Sequence, residues 1–212
     1  MTPQAALERG LAELALALPA GAPGRLLQYL ELLAKWNRTY NLTAIRDPVD
    51  MVSHHLLDSL AVIAHLPVAG ESPALADVGS GAGLPGIPLA IARPHWHIAL
   101  ADASSKKTAF LRQAAIELAL PNVQVHHGRV ETWRPVLPFA IAISRAFADL
   151  GAFIAASRHL LAPQGILAAM KGAMPSAELA GVPPGCDCSR VIPLKVPLLN
   201  AQRHLVLCHT GA

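Results

Sequence analysis

A chain of 212 residues is long enough for one sizeable domain with an appended subdomain and a buried core. Its 53% apolar content falls in short runs broken by Pro and Gly, none near the ~18 to 20 uninterrupted apolar residues of a membrane span, and the N-terminus lacks the basic region and apolar core of a signal peptide. The net charge of +3 is uneven, with 5 Lys/Arg against 7 Asp/Glu in residues 1–75 and 12 against 7 in residues 76–212. These features predict a soluble, cytoplasmic protein that does not engage a membrane, and they leave polyanion binding open without establishing it.

In chain order, Leu7, Leu11, Leu14 and Leu18 mark an amphipathic helix over 3–18, and Leu26, Leu27, Leu30, Leu33 and Trp36 mark a second that starts at Pro23. Trp36 to Thr43 reads as a loop, with Asn37, Asn41 and Thr43 in capping and turn chemistry. Asp47-Pro48 is a helix start that leads to Met51, Leu56, Leu60 and Ile63 and carries His54, His55 and Asp58. His55 and Asp58 are three apart, close enough on an α-helix to reach a ligand or each other, and a purely structural pair is an equal reading. From Leu75 the pattern alternates between strand and helix. Strands are expected at Leu75–Val78, Trp96–Ala101, Val123–Val125, Phe139–Ile143 and Ile166–Met170, with helices at Pro85–Ala92, after Ser104 and at Leu150–Leu161. Arg190–Val196 and His204–Cys208 are close enough in sequence to pair antiparallel. The expected fold is therefore α/β: a mostly parallel, Rossmann-like sheet with a C-terminal antiparallel hairpin, preceded by N-terminal helices. Residues 1–72 are expected to be a helical extension packed on a core of residues 73–212, the whole forming one structural unit.

The run Leu75-Ala76-Asp77-Val78-Gly79-Ser80-Gly81-Ala82-Gly83-Leu84-Pro85-Gly86 organises the chain. It begins as an apolar strand and breaks into glycines that let backbone approach a ligand. Gly81-x-Gly83-x-x-Gly86 fits a dinucleotide fingerprint literally, and Asp102 ends the next strand, where a ribose-binding acid belongs. Asp77 ahead of Gly79 makes the run Asp-x-Gly-x-Gly-x-Gly, which resembles the first motif of class I S-adenosylmethionine (SAM) methyltransferases. A nicotinamide-dependent oxidoreductase and a non-catalytic RNA-binding protein remain alternatives on the residues alone.

In a doubly wound sheet the ligand lies across the carboxyl ends of the strands. Those ends carry Gly79, Asp102, the Gly128-Arg129-Val130-Glu131 run, Ser144-Arg145 and Lys171-Gly172. Arg145 directly follows an apolar strand, where a charge needs a partner or a ligand, and it is the leading substrate-facing candidate. Lys171 and Arg203 have similar positions. Cys186, Cys188 and Cys208 form an odd, late cluster that predicts reduced thiols, and their spacing matches no standard zinc pattern, so no metal is expected.

Several separated runs share one further property. Lys35-Trp36-Asn37 with Asn41-Leu42-Thr43-Ala44-Ile45, His55-Leu56-Leu57-Asp58-Ser59, Asp77 to Pro88, Lys106-Lys107 with Phe110-Leu111, Ser144-Arg145-Ala146-Phe147-Ala148, Lys171-Gly172 and Arg203-His204-Leu205-Val206 together resemble the RsmG (GidB) family of 16S ribosomal RNA methyltransferases. The resemblance implies SAM as cofactor, S-adenosylhomocysteine as product, and methylation of guanine N7 in the 530 loop of 16S RNA, free or in the small subunit; separately, a monomer is expected. It places Asp77, Gly79, Ser80, Gly81, Gly83, Leu84, Asp102, Val130, Glu131 and Arg145 at the cofactor, with Arg145 also positioning the base. His55, Asp58, Lys171 and Arg203 fall on the RNA side. The first 25 residues and Pro175 to Ser189 match the family pattern poorly.

Overall fold

The structure is a computed structural model, and it describes residues 1–67, 70, 72–145, 147 and 149–211. Ala146 and Ala148 of the Ser-Arg-Ala-Phe-Ala run lie outside the described residues.

Helical segments precede the sheet. Helix α1 (Pro3–Glu13) is capped by the Thr2 hydroxyl, which accepts from the Ala5 amide at 3.2 Å. It stops short of Leu18 because the backbone turns at Ala15, which has a positive φ, yet Leu14, Leu16 and Leu18 still pack against the core. Helix α2 (Ala22–Tyr40) runs through Trp36–Tyr40, which the sequence reading treats as loop. Asn41 ends it in a left-handed conformation that Asn tolerates better than most residues. The extra turn is held by a local i,i+4 stack of Trp36 on Tyr40 at 5.2 Å and by tertiary packing of Phe110, which meets Trp36 edge-on at 5.5 Å. Next come α3 (Pro48–Met51), capped by Asp47 through the amides of Val49 and Asp50, a π-helical turn at Val52–Leu57, and α4 (Asp58–Leu60).

The core alternates β1 (Ala74–Val78), α5 (Gly86–Ala92), β2 (His97–Asp102), α6 (Ser105–Glu117), β3 (Val123–His127), β4 (Phe139–Ser144), α7 (Leu150–Ser157) and β5 (Leu161–Lys171). It closes with α8 (Ser176–Ala180), β6 (Cys186–Pro193) and β7 (His204–Thr210). The seven strands are ordered β3-β2-β1-β4-β5-β7-β6. All neighbours are parallel except β5–β7 and β6–β7. Strand β5 begins five residues earlier than its periodicity predicts. It takes in Pro163 and Gly165 through an irregularity opposite β4, where a Cβ on Gly165 would lie 3.0 Å from the Phe139 carbonyl oxygen.

The inner strands β1, β2, β4, β5 and β7 are largely apolar on both faces, as a sheet covered on both sides requires, whereas the edge strands β3 and β6 carry polar residues. Leu75, Ile98, Leu100, Ile141, Ile143, Ile166, Leu205 and Leu207 face the cluster that includes α2, the 48–66 segment and α5. Ala76, Val78, Ala142, Leu167 and Val206 face α7. Successive residues point to opposite sides, so every second residue shares a face, which is the period of a strand.

Cys188 and Cys208 form a disulfide with S–S 1.99 Å, in place of the reduced thiols expected, while Cys186 is free. Antiparallel pairing of β6 with β7 brings their Cα atoms to 4.1 Å across 20 residues of sequence. Residue spacing carries no sign of that register. No helix among the described residues is long and apolar enough to cross a membrane.

Candidate active site

The strand order reverses between β1 and β4, so a crevice opens at their carboxyl ends. The loop after β1 occupies one side of it. Gly79, Gly81 and Gly83 all have positive φ, and the amides of Gly79 and Ser80 donate to the Ala101 carbonyl at 2.9 and 3.0 Å, tying the loop to β2. Asp77 is fully buried beneath the loop. Its Oδ2 accepts from the Gly86 amide at 2.9 Å, and the Ser80 hydroxyl donates to its carbonyl at 2.7 Å. A Cβ on Gly86 would lie 2.8 Å from Asp77 Oδ2, so the loop closes only with glycine there. Burial pushes the Asp77 carboxyl up to about 7, against the opposing pull of the Gly86 amide, the Arg145 charge and Ser80.

Asp102, at the end of β2, is strapped to the same loop. Its Oδ2 accepts from the Gly81 amide at 3.0 Å, its Oδ1 accepts from the Ser104 amide at 2.8 Å, and Lys107 Nζ stands 3.7 Å away. A carboxylate offers about four lone-pair sites, so acceptor capacity remains for a diol. Leu84 is buried in the loop, and Leu84–Pro85 is a cis peptide. Val130 and Glu131 sit in a 3-10 turn at 130–132 that follows β3, Val130 buried and Glu131 exposed. From the opposite side, the hydroxyl of fully buried Tyr29 on α2 donates to the Ala82 carbonyl at 2.7 Å. Nothing in the sequence singles out Tyr29, because within its helix it is indistinguishable from any core aromatic.

Beyond β4 lies a cleft of about 300 Å³ lined by Asp58, Arg145, Met170, Lys171, Gly172 and Arg203. Asp58 is 2% exposed. Its Oδ2 accepts from Arg145 Nη1 at 3.2 Å, and its Oδ1 accepts from Arg203 Nε at 3.1 Å. Arg145 Nη1 also donates to the His54 carbonyl at 2.9 Å. Lys171 Nζ donates to Glu178 Oε2 at 2.7 Å and to the Phe147 carbonyl at 3.1 Å. Glu178 also accepts from the Leu150 amide at 2.7 Å, tying α8 to the start of α7. Glu178 lies in the stretch that matches the family pattern poorly, and nothing local marks it.

His55 and Asp58 do not meet. The π-helical turn replaces the α spacing on which that pairing rests. His55 Nε2 instead shares a 2.9 Å hydrogen bond with Thr43 Oγ1, while Asn37 clamps the Thr43 backbone from both sides at 2.9 Å. The Trp-Asn to Asn-Leu-Thr run is thus a brace beneath the π-helical turn. Burial, followed by the Arg145 charge, lowers His55 to about 4, so the imidazole is neutral near pH 7. Among the described residues no group of three or more His, Cys, Asp or Glu is placed to hold a metal ion.

A parallel sheet with this switch point, a glycine loop after its first strand and a C-terminal antiparallel pair has the architecture of the class I methyltransferases. The fold is shared with a solved structure described as a SAM dependent methyltransferase from Aquifex aeolicus, at a TM-score of 0.57 and 17% identity over 84% of this chain and 98% of that one. Residues 24–206 match the family GidB, described as rRNA small subunit methyltransferase G. Proteins named ribosomal RNA small subunit methyltransferase G are 52% identical in Methylobacillus flagellatus, over 96% of both chains, and 54% identical in Chromobacterium violaceum, over 95% of both. The chain belongs to this methyltransferase family.

Proposed function

We propose that the protein transfers the methyl group of SAM to N7 of a guanine in the 530 loop of 16S ribosomal RNA. The observation that carries this reading is the adjacency of two different half-sites at the carboxyl ends of the strands: a glycine-rich loop backed by Asp102, and an arginine-walled cleft centred on Arg145. The loop fits the cofactor, since its glycines leave room for close backbone approach and the Asp102 carboxylate suits a ribose diol. Gly79, Ser80, Gly81, Gly83 and Leu84 would hold the methionine and ribose side, with Asp77 beneath them shaping the loop. Val130 and Glu131 would meet the adenine. Bound SAM supplies an electrophilic methyl on a sulfonium.

Guanine N7 carries an unprotonated lone pair, so its attack requires no general base, and His55, buried and hydrogen-bonded to Thr43, is assigned no such role. What the residues contribute is alignment, for which fixed geometry supplies up to ~7 to 11 kcal/mol. Two of the five N–H donors of Arg145 are taken by Asp58 and His54. The rest of the guanidinium suits guanine O6 or a neighbouring phosphate. Arg203 extends the cationic wall towards RNA, while Lys171, ion-paired with Glu178, lines the same cleft. A splayed loop base reaches such a cleft more readily than one inside an A-form helix. On this reading the protein acts in the cytoplasm as a monomer, with residues 1–72 and 73–212 working as one unit. Neither the nicotinamide-dependent nor the non-catalytic alternative finds support in the family relationship.

The test is transfer of labelled methyl from SAM to small-subunit RNA, naked or assembled, from cells lacking this protein, followed by mapping of the modified base. Label at N7 of a single guanine is expected. Label on another base defeats the substrate assignment, and no label on either form defeats the reading.

A further inference from the structure

Methyl transfer by alignment requires that Arg145 itself be held, and the groups that hold it come from an unusual piece of backbone. In an α-helix the Asp58 amide would donate to the His54 carbonyl, four residues back. Here it donates to Ser53 and His55 instead, and the His54 carbonyl accepts from Arg145 Nη1 at 2.9 Å. The second hydrogen on Nη1 goes to Asp58 Oδ2, while Asp58 Oδ1 takes Arg203 Nε. One buried carboxylate thus joins arginines that lie 87 and 145 residues away from it in the chain, at the end of β4 and the start of β7.

We propose that Asp58 is a positioning residue for methyl transfer, setting Arg145 and Arg203 as one unit on the wall of the cleft without touching RNA or SAM. The inference rests on the function proposed above. Both Asp58 oxygens are occupied by guanidinium groups, so the carboxylate acts through the arginines. Two guanidinium groups on one wall repel each other unless a negative charge lies between them, and Asp58 supplies it. A net positive charge remains in the pair to meet RNA. Removing the carboxylate charge therefore has opposite effects on two measurements: it makes the cleft more cationic and loosens the geometry. RNA binding is maintained or tightened while turnover is lost, a split that damage to the fold does not produce.

The experiment compares wild type with Asp58→Asn in thermal melting, SAM affinity, salt-dependent RNA binding and single-turnover methyl transfer at saturating SAM and RNA. A displacement of about 1 Å at Arg145 lowers the rate by about 100-fold. SAM affinity is expected to stay within about threefold, and RNA binding to be at least as tight with an equal or steeper salt dependence. If Asp58→Asn melts below the assay temperature, Asp58→Glu takes its place: it keeps the charge, displaces both arginines, and is expected to lose rate with the salt dependence unchanged. A wild-type rate in the tested variant overturns the inference. So does a loss of rate matched by an equal loss of SAM affinity, since that marks a general structural role. The wild type must transfer methyl in the same assay. If it does not, the proposed function fails, whereas an active wild type alongside an equally active variant defeats only the role of Asp58.

Discussion

The Tyr29 hydroxyl joins the N-terminal helices to the glycine loop, and Tyr29→Phe removes that link while leaving the ring in place. The bond to the Ala82 carbonyl is 2.7 Å long and wholly buried, so its loss strands an acceptor that water does not reach. Leaving one buried acceptor unpaired costs about 1 to 3 kcal/mol. For a domain of this size each kcal/mol lowers Tm by about 2 to 4 °C, so a fall of about 2 to 12 °C is expected. Ala82 lies between Gly81 and Gly83, and part of the cost therefore falls on the ligand-ready shape of the loop. If about 1.4 kcal/mol of it does, affinity for SAM or S-adenosylhomocysteine weakens about tenfold. Calorimetric titration with S-adenosylhomocysteine, alongside melting with and without it, measures both quantities. A lower Tm with unchanged affinity would limit the bond to a role in stability, and no change in either would refute the idea that α2 braces the loop.

Asp102→Ala is expected to weaken SAM binding, through the lost diol acceptor and through release of the Gly81 amide; unchanged affinity in a direct titration removes Asp102 from the cofactor site. Arg145→Ala is expected to abolish methyl transfer, with SAM binding retained or weakened, and normal turnover by this variant excludes Arg145 from the reaction. Burial raises the folded-state Asp77 value from 3.8 to about 7, so the folded protein binds more protons than the unfolded chain within that window. The contribution of Asp77 to stability is then greatest below about pH 4, declines up to about pH 7 and is level above. His55, lowered from 6.5 to about 4, acts in the opposite direction, adding stability as pH rises across its own window. Unfolding titrations of wild type and Asp77→Asn from pH 4 to 8 separate the two: the stability of wild type relative to the variant should fall with rising pH, and parallel curves would show that Asp77 titrates normally. Thiol titration of unreduced, denatured protein is expected to find Cys186 alone, and a result of three thiols would show the β6–β7 pair to be reduced.

Local chemistry alone was sufficient for the alternation of strands and helices from Leu75 onward, the glycine loop, the Asp47 cap and the positions of Asp102 and Arg145 at strand ends. Each depends on neighbours within a few residues: apolar period, glycine conformational freedom, side-chain caps. The family resemblance was legible for the same reason, as short runs in order. Other features were decided in three dimensions. Trp36 to Tyr40 became helix because Phe110 packs against Trp36, and the 52–57 turn became π-helical where Arg145 takes the His54 carbonyl. Cys188 met Cys208 through a strand register, and Lys171 met Glu178 through the fold of α8. Asp58 looked like a partner for His55 while only helical spacing was considered. It became the carboxylate between two arginines once β4 and β7 were brought alongside it, because pairing of buried charges depends on distance in space and not on separation along the chain.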